Sequence, residues 1–349
     1  MKPHCAFLSF RLGMTDGVSV VAATWERSLR QLGWTTSRIA GEGDVDHLIP
    51  GLAIGADRPP EQRAVAAAVA DADLVVVENL LTIPMNLPAA RVVARVLAGR
   101  PAVLHHHDPP WQRARFQHVT ELPVDDPTWR HVTINALTAA QFAERGLAAT
   151  TIYNGFDTEV GAGDRAGTRR ALEMAEDDIL VAHPVRAIER KNIPAAVAIA
   201  ESLDAVYWLP GPAEDGYGPM LDALLARARC RLRRHTLADI GPAASMADLY
   251  AAADLVVFPS TWEGFGNPPL EAAIHGRPVV VGRYPVAEEL RRFGFWWLDP
   301  DDVDGIRAAV NEPPVERLDG NRRLVREQFS IDVVTGRVKA LLDEAGFGS

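Results

Sequence analysis

Phe258-Pro-Ser-Thr-Trp-Glu-Gly-Phe-Gly-Asn-Pro-Pro-Leu-Glu271 closes the apolar run Asp254-Leu-Val-Val-Phe258 and leads into Leu270-Glu-Ala-Ala-Ile274. The first run reads as a buried strand and the last as the start of a helix, with a glycine-bearing turn between them. Such a turn presents free backbone N–H groups at a helix N-terminus, where an anion is held without a dedicated cation. Glu263 on the turn and Glu271 on the helix stand eight positions apart. Carboxylates so placed accept hydrogen bonds from hydroxyls at two ends of one ligand, with a phosphate bridge between them. Spacing alone also fits two charges that cap a helix start or face solvent.

Working outward, the chain alternates short apolar strands with amphipathic helices. Cys5–Ser9, Leu74–Val77 and Ala102–Leu104 are predicted strands, with helices over Val20–Leu32 and Ala89–Ala98. The plan repeats with strands at Ile179–Ala182, Ala205–Leu209, Asp254–Phe258 and Val279–Val281. Such runs bury both faces of a parallel sheet, and ligands bind at the carboxyl ends of its strands. The expected fold class is therefore α/β with two doubly wound, Rossmann-like domains. The boundary is placed after Tyr153-Asn-Gly-Phe-Asp157, ahead of the glycine-rich Gly161-Ala-Gly163, giving domains 1–158 and 159–330.

At 349 residues, 48% hydrophobic and 23% charged, the chain has the profile of a soluble globular protein with an ample core. A net charge of −10 excludes a general nucleic-acid binder, whose phosphate contacts need a basic face. The basic cluster Arg227–His235 reads as a solvated helix face leading into a strand. No apolar stretch approaches the roughly 20 residues of a transmembrane helix, and a cytoplasmic enzyme is expected, with room left for peripheral membrane contact. Cys5 and Cys230 are too few for a disulfide framework and are expected to be buried thiols.

Glu-Gly-Phe-Gly, followed by Pro-Leu-Glu-Ala-Ala and Gly276-Arg-Pro-Val-Val-Val, resembles the signature of retaining glycosyltransferases of family 4. The resemblance runs from about Ser9 to about Glu289. It implies the GT-B fold, two such domains with an interdomain cleft, and a final helix over about 331–349 that crosses back to the acceptor-side first domain. It also implies that Glu263 contacts the donor hexose, Glu271 the ribose, and the backbone around Gly264, Phe265, Gly266 and Asn267 the sugar and pyrophosphate of a nucleotide sugar.

Further candidates fall at strand ends. In Arg186-Ala-Ile-Glu-Arg-Lys191 the two outer cations suit a diphosphate. They resemble the family's basic pair, which stabilises charge on the departing nucleotide, while Arg190 reads as a salt-bridge or surface residue. Gly13 and Gly17 in Arg11–Ser19 permit close backbone approach to phosphate. The family has paired glycines there. Asp16 departs from that pattern and reads as a helix cap or an acceptor-hydroxyl contact, with Thr15 and Ser19 as alternative caps.

Leu104-His-His-His-Asp-Pro-Pro-Trp111 follows a strand, so that His105 and His107 share a side and His106 points opposite. Two imidazoles and Asp108 could converge on a metal, yet no fourth ligand is evident and the family is metal-independent, so no metal is expected. His107-Asp108-Pro109 matches a family element whose imidazole lies near the reacting face of the donor. Asp108, Trp111, Gln112 and Arg113 are then placed toward the acceptor, with Trp111 as a stacking platform. The turns Pro210–Gly216 and Tyr284–Glu289 read as structural.

Together these imply a retaining, metal-independent hexosyltransferase with His107, Arg186, Lys191 and Glu263 as its catalytic groups. It would move a hexose from a nucleotide diphosphate sugar, UDP- or GDP-linked, to a small soluble acceptor, with no other cofactor. A sugar-nucleotide epimerase or sugar phosphorylase on the same fold, or a non-catalytic nucleotide-binding partner, are the alternatives.

Overall fold

The computed structural model describes residues 2–14 and 16–347. The chain forms two compact units, one of Met1–Phe156 with Phe329–Ser349 and one of Asp157–Gln328. Each is built on a parallel sheet.

The first unit has seven strands: β1 (His4–Leu12), β2 (Thr35–Gly43), β3 (His47–Leu48), β4 (Leu74–Glu78), β5 (Ala102–His106), β6 (Trp129–Thr133) and β7 (Ala149–Thr151). Their order is β3-β2-β1-β4-β5-β6-β7. β1, β4 and β5 are buried along nearly their whole length because both faces are covered. Ala6 and Leu8 pack on one face with Val75, Val77 and Leu104. Cys5 and Phe7 pack on the other with Leu74, Val76 and Val103.

That second face is covered by the helix Gly17–Gln31, through Val21, Trp25 and Leu29, and by the helix Ile331–Ala345, through Val334, Val338 and Leu341. Gly155 lets the last helix come close. A Cβ there would lie 2.8 Å from Val334 Cγ2 and 3.0 Å from Thr24 Cγ2.

The second unit has β8 (Leu180–Ala182), β9 (Val206–Trp208), β10 (Arg231–Arg233), β11 (Leu255–Phe258) and β12 (Val279–Val281), ordered β10-β9-β8-β11-β12. The helix Asn267–Ile274 follows β11 and packs Leu270, Ala272 and Ala273 inward. The basic cluster is not a helix face. The preceding helix ends at Leu225, and Arg231 and Arg233 lie on edge strand β10, bonded to the Asp178 carboxylate and the Leu172 carbonyl.

Cys5 and Cys230 are free and buried, and burial pushes both thiols up. Among the described residues, no helix is long and apolar enough to cross a membrane.

Candidate active site

In the second unit, β11 delivers the chain to a turn that ends at Gly266, the N-cap of Asn267–Ile274. Gly266 has φ +99, and a Cβ there would stand 2.4 Å from Tyr284 Oη and 3.3 Å from Phe258 Cε1. Only glycine fits this backbone and this space. Phe265 is buried beside it, and Pro268 opens the helix where no N–H is needed.

Glu263 is buried at the centre of this turn. Lys191 Nζ donates to its Oε1 at 2.7 Å, and Arg190 pairs with its Oε2. Burial by itself raises a carboxyl, but these two cations outweigh it and hold Glu263 below its ordinary value. Burial brings Lys191 down to about 8, with Glu263 opposing that fall, while the charges of Arg190 and Arg186 lower it further. Lys191 Nζ also sits 4.7 Å from the Phe258 ring centroid.

Arg190 does more than balance charge. It donates to the Trp262 carbonyl at 3.0 Å, and its own carbonyl accepts from Thr261 N at 2.9 Å, so it fastens the turn to the segment after β8.

Arg186 pairs with Glu214 and is half-exposed. It does not share Glu263 with Lys191, although its charge reaches Lys191. Glu214 belongs to the Pro210–Gly216 turn, which is joined to Ala187 by backbone bonds at 2.8 and 3.1 Å.

Glu271 is held differently. Tyr250 Oη donates to its Oε2 at 2.6 Å, and burial raises this carboxyl above its ordinary value. Tyr250 is fully buried and stacks on His275, with centroids 4.9 Å apart. Tyr250 had no marker in the sequence, being one residue of an alanine-rich helix. His183, at the end of β8, was also missed. It bonds Tyr207 Oη through Nδ1 at 2.8 Å, and burial lowers it to about 3.

In the first unit, Asp16 caps the helix Gly17–Gln31, accepting from Val18 N at 3.2 Å and Ser19 N at 3.4 Å. Ser19 donates to Asp16 at 2.8 Å and is not itself the cap, while Thr15 lies outside the described residues. Gly13 is in the left-handed region at φ +71, with Asp44 O 2.4 Å from where a Cβ would lie. Gly17 has open space around its Cβ position.

β5 carries His105 and His106 to opposite faces. His106 bonds Thr82 Oγ1 at 2.6 Å and His131 Nδ1 at 2.8 Å, and His131 bonds Asp125 at 3.0 Å. The group that converges with His105 and His107 is Glu78, not Asp108. The Asp108 carboxylate is turned to Arg113 instead. The donor atoms of Glu78, His105 and His107 all lie within 4.8 Å of one another, and all three residues are buried.

Burial raises the Glu78 carboxyl, but the two imidazoles more than offset it and bring it to about 2. Burial lowers His105. Trp111 donates from Nε1 to Gln141 Oε1 at 2.7 Å, and the Arg145 guanidinium lies 3.9 Å from its ring centroid, so one face of the expected platform is covered.

A turn built to hold a carboxylate between cations, with a second carboxylate on the helix it caps, belongs to a recognisable family. Residues 192–312 match the family model for glycosyl transferases group 1. Over those residues the second unit is similar to the glycosyl transferases group 1. The match begins directly after Lys191 and contains Glu263, Gly266, Glu271 and Tyr250.

This glycosyltransferase is 25% identical to mannosylglucosylglycerate synthase of Petrotoga mobilis, over 82% of this chain and 84% of the relative. A shorter stretch is 40% identical to the O-antigen chain mannosyltransferase RfbU of Salmonella typhimurium, over 20% of this chain and 19% of that one. Among solved structures, HepE of Anabaena in complex with UDP-glucose is similar at a TM-score of 0.72 and 19% identity, covering 98% of this chain and 99% of that one. The two-sheet fold is the GT-B fold expected from the sequence.

Proposed function

We propose that this glycosyltransferase belongs to family 4 and transfers a hexose from a nucleotide diphosphate sugar to an acceptor hydroxyl with retention of configuration. The observation that carries the reading is the Lys191–Glu263–Arg190 cluster, with Lys191 and Glu263 buried, set against the Gly266 helix start.

In this reading the second unit holds the donor. Lys191, Arg186 and the amides of Gly264, Phe265 and Gly266 face the diphosphate, Glu263 takes hexose hydroxyls, and Glu271 takes the ribose. Its cations supply the charge stabilisation that a departing diphosphate needs, which supports a metal-independent reaction. Asn267, Gly13 and Gly17 complete the proposed donor contacts. The first unit supplies His107 and, toward the acceptor, Asp108, Trp111 and Arg113. Asp16 is proposed as a cap only.

Glu263 is saturated by two cations, which makes it a poor nucleophile and favours same-face attack over a covalent intermediate. The bond from the anomeric carbon to the phosphate oxygen breaks, a bond to the acceptor oxygen forms, and the acceptor's proton passes to the leaving phosphate. The names of the curated relatives favour a mannosyl donor, and the UDP-glucose complex of HepE supports a nucleotide sugar. The expected acceptor is a small hydroxyl compound.

The test is thermal stability against UDP-, GDP-, ADP- and TDP-sugars, since a ligand that binds only the folded state raises Tm. One nucleotide should stabilise the wild type and lose its effect in Lys191→Ala and Glu271→Ala. No stabilisation by any of them would sink the reading.

A further inference from the structure

The ends of β4 and β5 meet at Glu78 and His105, which are partners in the strand register. Glu78 takes two imidazoles, His105 Nδ1 at 3.0 Å and His107 Nε2 at 2.7 Å. An ionised carboxylate only accepts, so both ring nitrogens facing it carry protons. His105 is further held by Trp25, whose ring centroid is 4.4 Å away.

The next residue, Asn79, grips the backbone of the same loop. Its N–H donates to His105 O at 2.9 Å, while its Oδ1 accepts from His107 N at 3.2 Å and Asp108 N at 3.1 Å. Asn79 is buried with φ +60, a conformation that asparagine tolerates better than most residues.

We propose that Glu78 and Asn79 are positioning residues for His107. Glu78 fixes the ring and its Nε2–H tautomer, and Asn79 fixes the backbone that carries it. The ring's Nδ1 is thereby left to meet a substrate hydroxyl. The inference rests on His107 being a substrate contact, as proposed above.

A cation held by Glu78, His105 and His107 is the competing use of the same three side chains. Ligand atoms about 2.0–2.1 Å from a tetrahedral zinc stand roughly 3.3 Å apart. The 2.7 and 3.0 Å separations seen here are hydrogen-bond lengths. They favour direct bonds between the side chains.

Three measurements on the full chain test the proposal. In wild-type protein labelled with ¹⁵N-histidine, His107 should appear with its proton on Nε2, and Glu78→Gln should shift that signal. A wild-type His107 protonated on Nδ1 alone overturns the proposal without any variant having to fold.

The second measurement is turnover of whichever of UDP-glucose and GDP-mannose raises Tm, followed as release of nucleoside diphosphate. Glu78→Gln and Asn79→Gly, which keeps the left-handed backbone, should lower kcat on the order of 100-fold, the scale for loss of one positioned hydrogen-bonding group in the transition state. KM for the donor and stabilisation by the free nucleoside diphosphate should stay as in the wild type. Turnover within threefold of wild type, with unchanged histidine signals, overturns the proposal.

The third is metal content. One zinc per chain in the purified wild type, lost in Glu78→Gln, also overturns it. If no donor stabilises or is consumed by the wild type, the transferase reading fails, while the histidine spectrum still reports on Glu78.

Discussion

Each unit buries a glutamate at the carboxyl end of its sheet, and the two are neutralised by different chemistry. Glu263 in the second unit sits between two cationic side chains, Lys191 and Arg190. Glu78 in the first unit sits between two imidazoles, those of His105 and His107. Glu271, on the same turn-helix element as Glu263, has only a phenol for a partner. Three buried carboxylates thus have three different charge environments. The lesson is that burial does not set a carboxylate's role, because the partner decides whether its charge is favoured or disfavoured.

The largest break in this comparison should come from Glu263→Ala. It leaves buried Lys191 and partly buried Arg190 without their counter-charge, and removing one partner of a buried pair costs about 3–5 kcal/mol. Hydrogen exchange read by mass spectrometry should show the loss in Asp157–Gln328 and spare the first unit. Equal loss in both units would mean that the pair is not a local device.

Gly266→Ala comes next, at roughly 2–3 kcal/mol, from a positive φ and a Cβ against Tyr284 Oη. Tyr284→Phe removes that oxygen and should restore part of the loss. No restoration would place the whole cost in the backbone.

Acidification sharpens the contrast from the first unit's side. His105 and His106 have folded values below the ordinary 6.5, so the unfolded chain takes up their protons first. Stability should fall as pH drops below 6.5, by up to about 1.4 kcal/mol per pH unit for each such group. Glu78, at about 2 against an ordinary 4.5, contributes fully above 4.5 and loses that contribution as pH falls from there toward 2.

Alkali acts on the second unit in the opposite sense. Lys191 is folded at about 8 against an ordinary 10.5, so stability should rise with pH between those values while diphosphate binding is lost. Tm and nucleotide affinity measured across pH 7–10 check both signs.

The smallest effect should be Tyr250→Phe, about 1 kcal/mol for the lost hydrogen bond to Glu271. It should weaken binding of a nucleoside diphosphate more than it lowers Tm.

The parts that were legible from sequence are contiguous. Glu263, the turn glycines and Glu271 lie in one stretch, and Lys191 follows a strand whose apolar run is plain. Glu78, 27 residues before His105, becomes its neighbour only once β4 pairs with β5, and strand order is not written locally. That is why Asp108, adjacent in sequence, was placed with the histidines in its stead.

Arg190 reads as a salt-bridge or surface residue and makes that salt bridge, but nothing in the run Arg186–Lys191 says that its partner is Glu263. Strands β2, β3, β6, β7 and β10 went unread for another reason. β3, β7 and β10 are short, β2 buries only Ile39, Ala40 and Gly41, and the buried β6 breaks its apolar run with Arg130, His131 and Thr133. A strand with one wet face loses the continuous apolar signal that made β1 and β4 readable.

The helix Ile331–Ala345 has a consequence for how the chain is made. It completes the apolar layer over Trp25 and Leu29, yet about 170 residues of the second unit are synthesised between Phe156 and Phe329. At ribosomal speeds that is on the order of 10–30 seconds during which the layer has no cover. The second unit, continuous in sequence, has no such wait. The nascent first unit is therefore the half that should need a chaperone's shelter during translation.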